Sequence, residues 1–348
     1  MTQKQALIYK NYILQNENSV YFECGYSCDN VIYLSLGGEN FFITDARYEI
    51  EAKLLTKNCE VFITNDLITQ TRKILKKNKI KKLHFDPSDF TLLTYQKLSN
   101  KLDINFIQKP NFSKLKRLIK TNKEIELISK AMQLGREGFK RFSSYLQHDG
   151  LGKSEKFLFF KAKEFMSNCG ELDLSFDPIV AINKNSAKPH ALPTKDILHK
   201  DDLLLVDAGV KYKRYCSDRT CTSLVTKNIN FNREQNFKNK TEQKVYDIVL
   251  KAQQIAISKA RVGMKASQID KLARDVIEKA GYGKQFVHST GHGVGLDIHE
   301  YPNINSRSDV IIEDNMVFTI EPGIYLNDKF GVRIEDTVVM KNGKAVIL

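Results

Sequence analysis

Two stretches of the sequence share one pattern, and together they decide the fold of the C-terminal part. Residues 202–209 read DLLLVDAG, and residues 315–323 read NMVFTIEPG. Each is an apolar run, typical of a buried strand, that ends in an acidic residue shortly before a glycine. Each is followed by a second acidic residue near a threonine, in DRT at 218–220 and EDT at 335–337. This repeat, roughly 115 residues apart, predicts a pseudo-symmetric domain that brings four carboxylates to one place.

These four acidic residues indicate a shared cation. They are Asp207, Asp218, Glu321 and Glu335. A carboxylate at the end of an apolar strand loses much of its hydration, which is unfavourable unless a positive charge compensates. Separate salt bridges could satisfy any one of them, but four acids in two parallel contexts favour a common counter-ion. Because side chains two apart on a strand share a face, Arg333 should point the same way as Glu335, and Cys221 should face away from Asp218.

A glycine-rich segment supplies candidate nitrogen ligands. Residues 286–300 read FVHSTGHGVGLDIHE, with histidines at 288, 292 and 299. The glycines allow a close approach of backbone to a site. They do not match GxGxxG followed by a helix, so dinucleotide binding is not expected, and the HExxH zinc motif does not occur. A single histidine is usually structural, whereas three in twelve residues favour a site.

With these residues the chain resembles the proline-specific branch of the pita-bread metallopeptidases, the aminopeptidase P and prolidase family. The resemblance covers about residues 120–348 and rests on KPHA at 188–191, HSTGHGVGLDIHE at 288–300, EPGIY at 321–325 and GVRIEDT at 331–337. Over 1–115 it is weaker and rests on FITDARY at 42–48. One departure is Cys221, which stands where many members have arginine.

The resemblance implies an α+β protein of two domains. Residues 116–348 would form the pita-bread catalytic domain, a curved antiparallel sheet with two helix pairs related by a pseudo-twofold axis. Residues 1–115 would form an α/β, ribonuclease-H-like, creatinase-type N-terminal domain.

The local sequence pattern gives more detailed expectations. It predicts strands at 31–36, 40–44, 59–63 and 82–86 and helices near 46–57, 66–78 and 88–101. Further helices are expected from a capping box at Thr121 and over 153–168, 241–261 and 267–280. The polar segment 227–240 is expected to be an exposed loop.

The resemblance also implies the metal ligands. Asp218 and Glu335 would bridge two divalent ions, Asp207 would chelate one ion, and His292 with Glu321 would complete the other. Four carboxylates and one imidazole form an oxygen-rich donor set that favours Mn²⁺, with Co²⁺ or Zn²⁺ as alternatives.

The implied reaction is hydrolysis of the bond between an N-terminal residue and a following proline in a peptide substrate, by attack of a hydroxide that bridges both ions. Glu321 would exchange a proton with that water. His190 and His299 would hydrogen-bond the substrate or the tetrahedral intermediate, and His288 would shape the proline pocket. Arg333 would bind a substrate carboxylate or orient Glu335, with Tyr325 as a further donor. The family resemblance implies a homodimer or homotetramer.

Composition narrows the class of protein. The 348 residues, 42% hydrophobic and 27% charged, suit a globular protein of about two domains. A membrane helix and a signal peptide are not expected, and six scattered cysteines suggest reduced thiols in the cytoplasm. The net charge is +13, but the lysines of 72–82 fit the polar face of a helix without interleaved aromatic residues. Nucleic acid is therefore not an expected partner.

Two alternative hypotheses remain at this point. The first is another enzyme of the same fold, a methionine aminopeptidase or a metal-free creatinase. The second is a non-catalytic module that binds RNA through its basic surface. Methionine aminopeptidases usually lack such an N-terminal domain, and the five intact ligands argue against both a creatinase and a binding module. The sequence does not separate a dipeptidase from an aminopeptidase that acts on longer peptides.

Overall fold

A computed structural model describes residues 9–348. The chain divides into two compact units, one ending at Arg117 and the other spanning Leu118–Leu348. Each unit buries its own apolar clusters. Within the described residues, no helix has the length and apolar character needed to cross a membrane.

The first unit is a six-stranded mixed sheet with flanking helices. Its strands are β1 Asn11–Leu14, β2 Val31–Leu36, β3 Glu39–Thr44, β4 Glu60–Ile63, β5 Lys82–Phe85 and β6 Asn105–Gln108. Its helices are α1 Glu17–Cys24, α2 Glu49–Leu55, α3 Leu67–Lys77, α4 Leu92–Ser99 and α5 Phe112–Lys116. The strand order is β4-β3-β2-β1-β5-β6, with β4, β5 and β6 parallel to their inner neighbours.

Helix α3 shows why this unit folds as the pattern predicts. It buries Leu67, Ile74 and Leu75 against the sheet and leaves Lys73, Lys76 and Lys77 exposed. The basic cluster is therefore the solvated face of an amphipathic helix.

The second unit holds the remaining elements. Its helices are α6 Asn122–Tyr145, α7 Glu155–Met166, α8 Lys240–Lys259 and α9 Ala266–Lys279. Its strands are β7 Ile179–Ile182, β8 Leu203–Ala208, β9 Lys211–Tyr212, β10 Tyr215–Cys216, β11 Arg219–Leu224, β12 Gly291–Gly293, β13 Glu300–Ile304, β14 Val317–Ile320, β15 Gly323–Leu326, β16 Phe330–Arg333, β17 Asp336–Lys341 and β18 Lys344–Ile347. Helix α6 begins at Asn122, and the preceding Thr121 forms the expected capping box with Glu124.

The second unit repeats one arrangement twice. An antiparallel sheet β11-β8-β7 packs on the helix pair α6 and α7, and a sheet β13-β12-β14-β17-β18 packs on α8 and α9. Val206 on β8 and Ile320 on β14 are completely buried in the respective cores. The two apolar runs quoted at the outset are thus equivalent central strands, and their acidic ends point toward a common centre.

Candidate metal centre

The five predicted ligands sit on strands or at the points where strands end. Asp207 lies on β8, and Asp218 is the residue directly before β11. Glu321 follows β14, and Glu335 lies between β16 and β17. His292 is the middle residue of the short strand β12, which pairs with β14. The two equivalent central strands and the segments that follow them therefore carry the carboxylates, and the glycine-flanked strand carries the imidazole.

The imidazole of His292 faces the carboxylates with its Nε2 atom. That atom lies 3.5 Å from Asp218 Oδ2 and 3.4 Å from Glu321 Oε1. Ligand atoms of Asp218, His292 and Glu335 all lie within 4.8 Å of one another. His292 Nδ1 is 3.1 Å from the carbonyl oxygen of Gly293, to which it donates its proton. The Nε2 lone pair is therefore directed at the carboxylate cluster, as metal coordination requires.

Two buried carboxylate oxygens in this cluster have no hydrogen-bond donor among residues 9–348. They are Asp207 Oδ1 and Glu335 Oε1. The second oxygen of each is satisfied, since Arg333 donates to Asp207 Oδ2 over 2.7 Å and Thr220 donates to Glu335 Oε2 over 2.7 Å. Burying an unpaired carboxylate oxygen is costly, and a cation removes that cost. The residues present therefore fit divalent metal ions.

The pKa shifts of the side chains in the centre also favour a bound cation. Burial, reinforced by neighbouring carboxylates, raises the pKa of Asp218 and of Glu335 well above the usual range. Burial raises the pKa of Glu321 to about 8 against the opposing charge of Arg333. Burial lowers the pKa of His292, which favours the neutral form that binds metals. Close carboxylates without a counter-ion disfavour ionisation, and divalent ions would restore it.

Arg333 forms hydrogen bonds with one proposed metal ligand and with residues next to the centre. This buried guanidinium donates from Nε to Thr220 Oγ1 over 3.0 Å and from NH2 to Asp207 Oδ2. Its NH1 donates to Tyr325 Oη over 2.8 Å and to the Pro189 carbonyl over 3.1 Å. All three nitrogens are therefore used within the protein. Arg333 orients Asp207 directly and reaches Glu335 through Thr220.

Tyr325 and His288 form a chain with Arg333. His288 Nδ1 donates to the Ser289 carbonyl at 2.8 Å, so its Nε2 accepts from Tyr325 Oη at 2.9 Å. Burial, followed by the charge of Arg333, lowers the pKa of His288 to about 4. Burial raises the pKa of Tyr325 to about 12, so its hydroxyl keeps the proton it donates. His288 is thus a neutral ring held in one orientation.

A cleft of about 690 Å³ opens onto the centre. His190, His288 and His299 line it together with Arg333 and the five predicted ligands, whereas Tyr325 lies behind this lining. The His299 ring is 4.3 Å from the His292 ring and nearly edge-on to it. The structure therefore brings every predicted site residue to the cleft or directly behind it.

Sequence reasoning did not assign roles to three supporting residues. Thr319 donates to Glu321 Oε1 over 3.1 Å and accepts from the His292 amide, and Thr220 joins Arg333 to Glu335. Thr220 follows the acidic residue of the DRT repeat, and Thr319 lies two residues before Glu321 on the same strand face, so both positions were available signals. Glu155, at the start of α7, gave no such signal.

Glu155 is completely buried and holds both ends of the segment that carries His190. Its Oε1 accepts from the Ile182 amide, and its Oε2 accepts from Asn185 Nδ2 and from the amide and hydroxyl of Thr194. These four bonds are 2.6–2.8 Å long. The segment between Ile182 and Thr194 is therefore fixed against the body of the second unit.

The second unit repeats one arrangement of strands and a helix pair, and four carboxylates and one imidazole line the cleft of this unit. This combination is typical of a metallopeptidase. Residues 126–342 match the model of metallopeptidase family M24, and residues 3–121 match that of the creatinase/prolidase N-terminal domain. The chain belongs to metallopeptidase family M24. The expected family, and the expected pita-bread domain preceded by a creatinase-type domain, are confirmed. The family implies divalent metal ions.

Named relatives are similar over most of the chain. An Xaa-Pro dipeptidase of Pyrococcus furiosus is 37% identical over 71% of this chain and 70% of its own length. Among solved structures, an Xaa-Pro dipeptidase from Bacillus anthracis aligns with a TM-score of 0.89 and 31% identity, covering 99% of this chain and 94% of that one. An X-Pro aminopeptidase from Thermotoga maritima aligns with a TM-score of 0.85 and 31% identity, covering 99% and 97%.

Proposed function

We propose that this protein hydrolyses the peptide bond between an N-terminal residue and a following proline, as an Xaa-Pro aminopeptidase or dipeptidase. Two divalent ions, with Mn²⁺ as the first choice, would be held by Asp207, Asp218, His292, Glu321 and Glu335. The observation that carries the proposal is the group of ligand atoms from Asp218, His292 and Glu335, which all lie within 4.8 Å of one another and include the His292 Nε2 lone pair. The names of the relatives support the choice of bond.

Bound ions of this kind supply a nucleophilic water at neutral pH and polarise the scissile carbonyl. The chain supplies the other parts. Glu321 is among the more accessible ligands, with 16% of its side chain exposed against 6% for Asp218. It is thus placed to take a proton from the attacking water and return it to the leaving proline nitrogen. Thr319, which donates to its Oε1, holds the carboxyl in place.

The histidines of the cleft would bind the substrate. His190 and His299 are exposed to the cleft, where each ring can donate a hydrogen bond to a peptide carbonyl or to the oxyanion that develops there. His288 is fixed by Tyr325 and would form a wall of the pocket for the proline ring. Arg333 would act as a positioning residue for Asp207 and Glu335, and its bonded nitrogens argue against a direct contact with substrate.

The test is a peptidase assay on chelated protein resupplied with Mn²⁺, Co²⁺ or Zn²⁺. Metal addition should restore cleavage of Ala-Pro peptides and should leave a Met-Ala peptide nearly intact. Preferential cleavage of the Met-Ala peptide would instead support a methionine aminopeptidase. An Asp218→Ala protein serves as the control for contaminating peptidase. If no Ala-Pro bond is cut with any of the three metals, the proposal is wrong.

We also propose a homodimer or homotetramer in the cytoplasm. The proposal rests on the resemblance to the aminopeptidase P and prolidase family. All six cysteines are free thiols, as suits a reducing compartment. Light scattering coupled to size exclusion measures the mass, and a monomeric mass at assay concentration would contradict the first statement.

A further inference from the structure

The loop between β11 and α8 reaches the strand junction that carries Glu335. Arg233 of this loop donates to the Glu335 carbonyl oxygen over 2.7 Å and pairs with Asp336 Oδ2 over 2.6 Å. The side chain of Arg233 is 25% exposed and that of Asp336 only 13%. Charge-assisted contacts in such a sheltered place are strong and little screened by salt, so they hold the main chain of residues 335 and 336 in place.

The main chain of Glu335 needs such contacts because it lies between β16 and β17, outside the pairing of either strand. Its amide donates to the Thr220 carbonyl oxygen over 3.1 Å, and its Oε2 accepts from the Thr220 hydroxyl over 2.7 Å. Arg233 binds the remaining polar group of the main chain, the carbonyl. Glu335 is thus held from both sides, which keeps its carboxylate in the cluster with Asp218 and His292.

Arg233 is itself anchored. Its carbonyl oxygen accepts from Tyr246 Oη of α8 over 3.0 Å, and Phe231 and Phe237 on either side of it are buried. The loop is therefore fixed around Arg233, and its guanidinium meets Glu335 with little conformational entropy left to lose.

Position 221 adjoins this arrangement. Cys221 stands where the family resemblance implies arginine, and its Sγ donates to the Phe231 carbonyl oxygen of the same loop over 3.7 Å. Burial raises the pKa of the Cys221 thiol, and the charges of Arg219 and Arg233 oppose that rise, so both guanidinium groups lie near it. The small cysteine leaves room for the loop, whereas an arginine at 221 would compete with Arg233 for the same space.

We propose that Arg233 is a positioning residue for Glu335 and that it supplies, from the loop before α8, the cation that position 221 does not provide in this chain. The inference rests on the proposed function, since Glu335 is one of the proposed metal ligands. Arg219 is a further cation near Asp336, but it lies at 4.0 Å against 2.6 Å for Arg233. Arg233 is therefore the closer partner of the two.

The experiment measures Mn²⁺ affinity by isothermal titration calorimetry on metal-free protein, with urea unfolding to show that each variant is folded. Arg233→Ala should bind Mn²⁺ about 10–100-fold more weakly than the parent protein, because Glu335 is less well positioned. Arg233→Lys keeps a charge beside Asp336 and should lose less affinity. The matched control is Lys238→Ala, which removes the ion pair of the same loop with Asp201 and should leave the affinity unchanged.

A double variant tests whether position 221 and Arg233 are interchangeable. Cys221→Arg alone should weaken Mn²⁺ binding, because two arginines then compete for one place. Cys221→Arg combined with Arg233→Ala should recover most of the affinity that Arg233→Ala loses. Losses that add in the double variant would contradict this exchange.

Parent-like affinity in Arg233→Ala, or an equal loss in Lys238→Ala, would overturn the inference while leaving the proposed function intact. A parent protein that binds no Mn²⁺ and cuts no Ala-Pro bond would defeat the proposed function itself, and the inference with it.

Discussion

Replacing Thr220 by valine tests how the centre is held. Thr220 is completely buried on β11, and its hydroxyl donates to Glu335 Oε2 over 2.7 Å while accepting from Arg333 Nε over 3.0 Å. Valine has nearly the same shape but carries a methyl group in place of the hydroxyl. Thr220→Val should therefore remove both hydrogen bonds without opening a cavity, whereas Thr220→Ser keeps the hydroxyl.

The size of the effect follows from the two partners of the hydroxyl. A hydrogen bond to a charged group such as Arg333 contributes about 1.5–3 kcal/mol, and one to a neutral carboxyl, the form that the raised pKa of Glu335 favours in the metal-free protein, contributes about 0.5–1.5 kcal/mol. Losing both bonds, with partial relaxation of the longer side chains, should lower the unfolding free energy of the metal-free protein by about 2–4 kcal/mol. Groups that orient metal ligands typically change metal affinity about 10–100-fold, which is about 1.4–2.8 kcal/mol.

Two measurements decide the matter. Urea unfolding of the metal-free proteins gives the change in stability, and isothermal titration calorimetry with Mn²⁺ gives the change in affinity. Thr220→Val should unfold at lower urea and bind Mn²⁺ more weakly, whereas Thr220→Ser should stay close to the parent protein in both assays. If the valine and serine variants behave alike, the hydroxyl does not position Glu335 and the argument is refuted.

Three further predictions concern the proposed metal ligands, His288 in the cleft, and Glu155, which holds the segment that carries His190. Asp218→Ala should lose bound metal and activity together, whereas His299→Ala should keep its metal and lose about 10²-fold in kcat. Elemental analysis measures the metal and initial rates measure the activity, and equal metal loss in the two variants would contradict the division of roles. NMR should show His288 with a pKa of about 4. Because this pKa lies below that of histidine in the unfolded chain, the contribution of His288 to stability is present above about pH 6.5 and is lost as the pH falls toward 4. His288→Gln should make the urea midpoint of unfolding less dependent on pH over that range. A His288 ring that titrates near pH 6.5 would refute the prediction. Glu155→Gln should raise KM about tenfold with unchanged metal content, because it loosens the segment carrying His190, and unchanged KM would count against that role.

The elements that sequence patterns predicted are those with a local signature. Helix α3 has a clear apolar stripe, and α6 begins with a capping box at Thr121. Strand β1 and helix α1 were not predicted, since β1 has four residues and α1 buries only Ser19, Val20 and Cys24 without a helical stripe. Strand β6 is a half-exposed edge strand, so it carries little hydrophobic signal. These elements are specified by their partners in the sheet more than by their own sequences.

The loop over 227–240 is a partial error of the sequence analysis. It is indeed a loop up to the start of α8, but its apolar residues Ile229, Phe231 and Phe237 are buried. Arg233 from the same loop donates to the Glu335 carbonyl over 2.7 Å and pairs with Asp336 over 2.6 Å. A polar composition concealed these anchors, because burial of a few apolar residues in a loop depends on distant packing.

The sequence predicted the candidate ligands, but it did not predict the residues that hydrogen-bond to them and hold them in place. The acidic residues end two similar apolar strands, and His292 lies between glycines, so local patterns singled them out. The bonds from Thr220 to Glu335 and to Arg333 join residues more than one hundred positions apart. Such pairs depend on how the two halves of the second unit face each other, which no local pattern encodes.

Equilibrium dialysis against Mn²⁺, followed by elemental analysis of the protein, tests the central claim most directly. The account predicts two ions bound per chain in the parent protein and loss of that binding in Asp218→Ala. Fewer than two ions in the saturated parent protein, or undiminished binding in the variant, would contradict a pair of metal ions held by these five side chains.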